Sequence, residues 1–181
     1  DPLAAANAPP VAPARDASNE SRAVDERSIQ ELFSGRKDGN RDALHAAYGG
    51  TKMTQESVEL ALDWLARQQT IDGMWSLQGP YPDGGMEENR IAATAMALLA
   101  YFGNGQTHQS PGKHQKVIER ALAAFLEKQN EQGAFWLSDA PPSHRLYTHA
   151  QCTIAICELY GMTRDERLLA PAEQAISYCL R

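Results

Sequence analysis

The strongest constraint on this chain is a rhythm. Helical segments with one apolar stripe alternate with segments that are apolar all round, and the alternation recurs about every sixty residues. TQESVELALDWLARQQ begins at Thr54, read as an N-cap, and Glu56 and Glu59 suit a positive helix start. Val58, Ala61, Leu62 and Leu65 fall at i, i+3, i+4 and i+7, one stripe on a polar helix. NRIAATAMALLAYF (89–102) is apolar beyond Arg90 and stops at Gly103, so it is expected to be covered on every side. KVIERALAAFLEKQ (116–129) is amphipathic through Val117, Ile118, Ala121, Leu122 and Phe125. YTHAQCTIAICELY (147–160) is apolar beyond Gln151 and stops at Gly161. RLLAPAEQAISYCL (167–180) is amphipathic again, with Pro171 in its first turn, where a missing N–H costs little. An all-α chain of outer amphipathic and inner apolar helices fits two layers better than a simple bundle, in which every helix keeps a wet face.

The copies share a register. A shift of sixty superposes Val58 on Ile118, Ala61 on Ala121, Leu62 on Leu122, Leu65 on Phe125, Gln69 on Gln129, Gly73 on Gly133 and Trp75 on Phe135. A shift of fifty-eight superposes Ala92 on Ala150, Met96 on Ile154, Leu98 on Ile156 and Gly103 on Gly161. A third copy begins at Ala175-Ile176. The period marks a helical-pair repeat, about two and a half copies of it. Between stripe helix and apolar helix lies a joint: Gln69, Gly73 and Trp75 in QTIDGMW, then Gln129, Gly133 and Phe135 in QNEQGAF. Its expected roles are structural. The glutamine satisfies orphan backbone groups at a helix end, the glycine takes a left-handed conformation, and the aromatic ring covers the turn.

QTIDGMW resembles the Q-x(2–5)-G-x-W signature of the prenyltransferase and squalene oxidase repeat, with QNEQGAF as a degenerate second copy. AYGGT (47–51), ATAMALLAYFG and TIAICELYGMT are also similar to bacterial squalene-cyclase-like repeat proteins. The resemblance covers roughly residues 52–181. It implies a terpenoid cyclase or protein prenyltransferase type of α/α toroid, here partial, with inner helices around a central cavity. Polar residues at the inner-helix starts would then face the cavity mouth, which singles out Arg90, Tyr147 and His149.

The family's chemistry is largely missing from these residues. The cyclases protonate their substrate with a D-x-D-D acid, the prenyltransferases hold zinc with an Asp-x-Cys pair and a distant His, and neither run occurs. His149-x-x-Cys152, with His144, has metal-like spacing, but zinc wants four ligands, so no metal or other cofactor is expected. Asp83, Glu87 and Glu88 precede one apolar helix and Asp139 precedes the next. Paired carboxylates can run glycoside chemistry, and acids before a helix also simply suit its N-terminus. No Ser-His-Asp order or phosphate-cradling glycine loop is present. The catalytic residues, if any, are therefore unknown. A non-catalytic structural or binding module, or a fragment of a larger protein, is the expected role. The alternative is an enzyme of isoprenoid or glycan chemistry whose catalytic residues lie outside this chain.

Composition narrows the partners. The net charge is −6 and no basic run exceeds Arg36-Lys37, which argues against nucleic acid. No apolar run reaches the roughly 18–20 residues of a membrane span. Residues 1–25 are rich in Ala and Pro and are expected to be a disordered tail or linker. Residues 26–50 form a short helical lead-in: SIQELF (28–33), then RDALHAAY (41–48) capped by Asn40 and stopped by Gly49-Gly50. Residues 51–181 form the repeat domain. An open edge of apolar helices calls for self-association or further repeats, and an apolar or isoprenoid ligand would suit the cavity. Cys152, Cys157 and Cys179 lie on apolar patterns and say little about compartment; a soluble, extracytoplasmic part of a larger bacterial protein is the expectation.

Overall fold

A computed structural model describes residues 31–181. The 1–25 tail, the first lead-in residues and the start of SIQELF lie outside the described residues. The described chain is all-helical and has no strand, only an isolated antiparallel bridge between Gln129 and Phe135. The helices are α1 (Asp38–Ala47), α2 (Lys52–Gln68), α3 (Arg90–Gly103), α4 (Gln115–Leu126), α5 (Arg145–Thr163) and α6 (Leu169–Cys179). Short 3-10 turns occupy Ser34–Arg36, Pro142–His144 and Glu166–Leu168.

No helix among the described residues is long and apolar enough to cross a membrane. The two described helices that bury the most residues, α3 and α5, pack on each other, while α4 packs on α3 and α6 on α5. Ile91, Leu98, Tyr101 and Phe102 of α3 meet Ile156 and Leu159 of α5 and Ile118 and Phe125 of α4 in one continuous core. Each large side chain buried this way contributes about 1.5–3 kcal/mol relative to an exposed one.

Several sequence expectations need correction. The cap of α2 is Thr51, not Thr54. Thr54 is the N3 residue of a capping box, and each threonine hydroxyl accepts the other's backbone N–H. The cap of α1 is Lys37, which offers no side-chain hydrogen bond. Asn40 lies inside the helix and donates to the Ser34 carbonyl. Gly161 does not stop α5, which continues to Thr163 and ends on Arg164 in the left-handed conformation. The apolar helices are not covered on every side. Met96 is 54% exposed and Ile154 55% exposed, at equivalent positions of the two copies, and Ala100 and Ala150 are exposed beside them. On α2 the stripe is only partly covered: Leu62 is buried, but Val58 and Ala61 are exposed. Of the three cysteines only Cys152 is fully buried; Cys157 is half-buried and Cys179 exposed.

The two joints have the same backbone plan. Thr70 N donates to Met74 O and Gly73 N to Thr70 O; Asn130 N donates to Ala134 O and Gly133 N to Asn130 O. Gln69 Nε2 donates to the Gly73 carbonyl and to the Val117 carbonyl, both at 2.9 Å. Gln129 Nε2 donates to the Gly133 carbonyl at 3.0 Å and to the Pro171 carbonyl at 2.8 Å. Val117 and Pro171 are each the third residue of the following stripe helix, α4 or α6. The glutamine therefore does more than finish its own helix: it ties the turn to the next copy. Gly73 and Gly133 hold φ of +85° and +88°, and a Cβ on either would run into the backbone carbonyl of Arg120 or Gln174 on that same next helix. Glycine is required twice over, for conformation and for close approach.

Candidate functional site

The N-terminal ends of α3 and α5 lie side by side. Asn89, the cap of α3, accepts Ala92 N on Oδ1 and donates through Nδ2 to Thr148 Oγ1 at 2.8 Å. Around this pair stand the residues that the sequence singles out. Arg90 is half-buried. Its Nη2 lies 2.7 Å from both carboxylate oxygens of Asp72 and 3.1 Å from Thr70 Oγ1, so its charge braces the first joint. Burial pushes the Asp72 carboxyl up, but hydrogen bonds from Thr70, Arg90 and Met74 N outweigh it and hold its pKa at about 2.

His149 is buried. Nδ1 accepts the Phe135 N–H at 3.2 Å, which leaves the Nε2 proton to donate to the Ala175 carbonyl at 3.1 Å. Burial lowers its pKa, partly offset by the Ala175 bond, so the neutral tautomer fits both partners. Tyr147 is 77% exposed. The three candidates are thus not brought together on one reacting centre. Arg90 and His149 serve one joint each, and Tyr147 faces solvent.

The metal-like spacing finds no shared site. Both His149 nitrogens are occupied, and Cys152 Sγ packs under the Ile91 carbonyl, where burial drives its thiol pKa far up. His144 pairs at 3.5 Å with Glu87. No group of three or more His, Cys, Asp or Glu is placed to hold a metal among the described residues. Of the acids before α3, Glu88 bonds the Ser76 hydroxyl and accepts the N–H groups of Leu77 and Asn89, closing the loop onto the helix start. Asp83 and Asp139 are exposed.

A cavity of about 860 Å³ opens at the other ends of α3 and α5. The loop 104–114 forms one wall, and Phe33, Arg36, Lys37 and Arg41 of the lead-in form another. None of Arg90, Tyr147 and His149 lines it. Its lining includes a buried histidine held between two oxygens. His114 Nδ1 lies 2.7 Å from Gln106 Oε1 and Nε2 lies 2.8 Å from Asp63 Oδ1. Lys113 sits beside the same carboxylate at 2.9 Å and within 3.4 Å of Glu59. The Lys113 bond, then that of His114, lowers the Asp63 pKa; Asp63 in turn raises that of Lys113. Tyr101 lies tilted against His114, with ring centroids 5.2 Å apart, and donates to Leu62 O; burial, then the Asp63 charge, raises its phenol pKa strongly.

A second buried histidine, His108, meets Asp165 at 2.8 Å and ties the loop to the α5–α6 turn. Hydrogen bonds from Arg167, resisted by burial and reinforced by His108, hold the Asp165 carboxyl well below its ordinary range. Sequence reasoning passes over both histidines, because the loop NGQTHQSPGKH has no motif spacing. Their signal is the presence of two histidines in a segment otherwise built of turn residues.

Comparison with known proteins adds no relative: no protein-family model, no curated protein and no solved structure matches this chain. His114, His149, Arg90 and the Lys113–Asp63 pair are all engaged within the fold.

Proposed function

We infer that this chain is a helical-pair repeat module, structural or ligand-binding and not a complete catalyst, in which α2, α4 and α6 form the outer side of a partial α/α toroid and α3 and α5 the inner side. The resemblance of QTIDGMW to the prenyltransferase and squalene oxidase repeat supports the reading. The observation that carries it is the recurrence of the joint: two glutamines, sixty residues apart, each donate to the carbonyl of the glycine in the same joint and to the carbonyl of the third residue of the next stripe helix, α4 or α6. Repeat modules of this kind add units through nearest-neighbour interfaces. The exposed apolar positions Met96 and Ile154 on one side, and Leu60, Trp64, Ile176 and Leu180 at the two edges, are then surfaces for a ligand or for further repeats.

The test incubates the purified chain with squalene, farnesyl diphosphate plus an acceptor peptide, and an oligosaccharide, and follows product by mass spectrometry. No turnover is expected. Product formation would overturn the module reading and favour an isoprenoid or glycan enzyme. Light scattering during size-exclusion chromatography gives the second readout, where association is expected and a clean monomer at high concentration would count against open edges.

A further inference from the structure

The lead-in is attached to the repeats in an uneven way. At one end it sits in a shaped seat at the C-terminal ends of α3 and α5. The Phe33 ring lies where a side chain on Gly161 would be, so the absence of a Cβ inside a helix is what admits it. Arg36 stacks its guanidinium over that ring at 5.1 Å, pairs with the Glu158 carboxylate and reaches Met162 Sδ at 3.4 Å. The Arg36 carbonyl rests on Gly105, again where a Cβ would stand, and Arg41 Nη1 donates to the Asn104 carbonyl at 2.7 Å. Two glycines, one acid and one thioether thus receive an aromatic residue and an arginine three positions apart.

Between the seat and α2 the attachment is slight. No residue from 31 to 50 whose burial is described is buried. Leu44 and Tyr48 of the α1 segment are 45% and 85% exposed, and α1 touches α2 through an exposed bond between His45 Nε2 and Thr54 Oγ1. The connection to α2 runs through Gly49, at φ +84°, and Gly50. A specific seat at one end, a poorly packed helix and a glycine pair at the other are the parts of an exchangeable arm.

We propose that the seat formed by Asn104, Gly105, Glu158, Gly161 and Met162 is a recognition site for an aromatic-x-x-arginine segment, filled within one chain by Phe33–Arg36 and open to the same segment of a second copy. The contacts are identical in both arrangements, so the balance is set by tether geometry and protein concentration. In the exchanged form each copy supplies Phe33, Arg36 and Arg41 to the wall of the partner's 860 Å³ cavity. This association uses the lead-in and is separate from any pairing of open repeat edges.

A charge-swap experiment on the full chain decides it. R36E sets like charge against Glu158, and E158R sets like charge against Arg36, so each variant alone is expected to release its arm. Amide exchange over residues 33–41 should rise about tenfold or more while the core helices stay protected. Mixing the two variants restores opposite charges in both crossed contacts, and a species of twice the chain mass is expected only in the mixture. The double variant R36E/E158R is expected to close on itself and recover protection, which shows that the substitutions are compatible with folding. A mixture that stays monomeric while the double variant closes would overturn the exchange. Failure of the double variant to regain protection with its core helices intact would overturn recognition through this pair. Wild-type association that all three variants retain would belong to the repeat edges and leave the module reading standing while sinking this one.

Discussion

The two joints make the same turn with different side chains. In the first, Trp75 sends Nε1–H to the Leu65 carbonyl at 2.8 Å, and Trp75 N donates to Thr94 Oγ1. In the second, Phe135 stacks on Phe125 with ring centroids 4.6 Å apart, and Phe135 N donates to His149. The N–H after the glycine is taken by Asp72 in one copy and by Asn130 in the other, from positions two residues apart in the repeat register. Only the glutamine amide and the glycine are used identically. Backbone geometry fixes those two residues, and everything that merely covers or braces the turn is free to differ.

The largest effect separating fixed from free positions should come from the glycines. Gly133→Ala forces a side chain into positive φ and against the Gln174 carbonyl, and should cost about 2–4 kcal/mol by urea denaturation. Gly73→Ala meets the Arg120 carbonyl at 2.7 Å, a slightly wider gap, and should cost less. Equal or negligible losses would mean that the joints are not close-packed on the next helix. The glutamines come next: Gln69→Ala and Gln129→Ala each remove two hydrogen bonds and should each cost about 1–3 kcal/mol. The effects should be alike in the two copies, since the partners are alike; a loss at only one would break the equivalence. Trp75→Phe converts the first joint to the second's aromatic. It strips the partner from Leu65 O in the last turn of α2 and should cost about 1 kcal/mol. Phe135→Trp tests the reverse and should also destabilise, because that ring is fully buried against Phe125.

The same division explains what was legible in the sequence. The period showed because Gln69 and Gln129, and Gly73 and Gly133, make equivalent contacts at the two joints, so they recur as letters. The helices showed because their stripes and caps are local. Cap placement slipped at Thr51 because Thr54, three residues on, is the other half of the same capping box. Periodicity counts apolar residues but cannot say what covers them, which is why Met96 and Ile154 read as buried and are half-exposed. Gly161 reads as a helix stop in a linear pattern, and only the distant Phe33 ring gives it another role. His114 and His108 depend on Asp63 and Asp165, about fifty residues away in the chain, and no local pattern announces such a pair. The polar residues at the apolar-helix starts, Arg90 and His149, were visible as oddities; that each braces a joint was not, because their partners are defined by the turn.

The smallest effect sharpens the comparison most selectively, since it concerns a carboxylate that is hydrogen-bonded into the turn in the first joint, where the second uses Asn130. Asp72 carries a pKa of about 2 against an ordinary 3.8. A carboxyl depressed on folding contributes stability that is present above its unfolded pKa and is lost as pH falls through the folded value. The contribution from Asp72 should therefore be complete above about pH 4 and fade between pH 4 and 2. The pair with Arg90 is close to half exposed, so solvent screening limits it to a few tenths of a kcal/mol. Asp72→Asn keeps an oxygen for Met74 N but gives up the Arg90 charge pair. Its stability gap from wild type should be small at pH 7, narrow toward zero near pH 2, and shrink in high salt at pH 7. The second joint uses Asn130 for the equivalent N–H and has nothing to titrate there, so Asn130→Ala should lose the same stability at pH 7 and at pH 3. A gap for Asp72→Asn that ignores both pH and salt would show that the carboxylate acts only as a hydrogen-bond acceptor, and the two joints would then differ in side-chain shape alone.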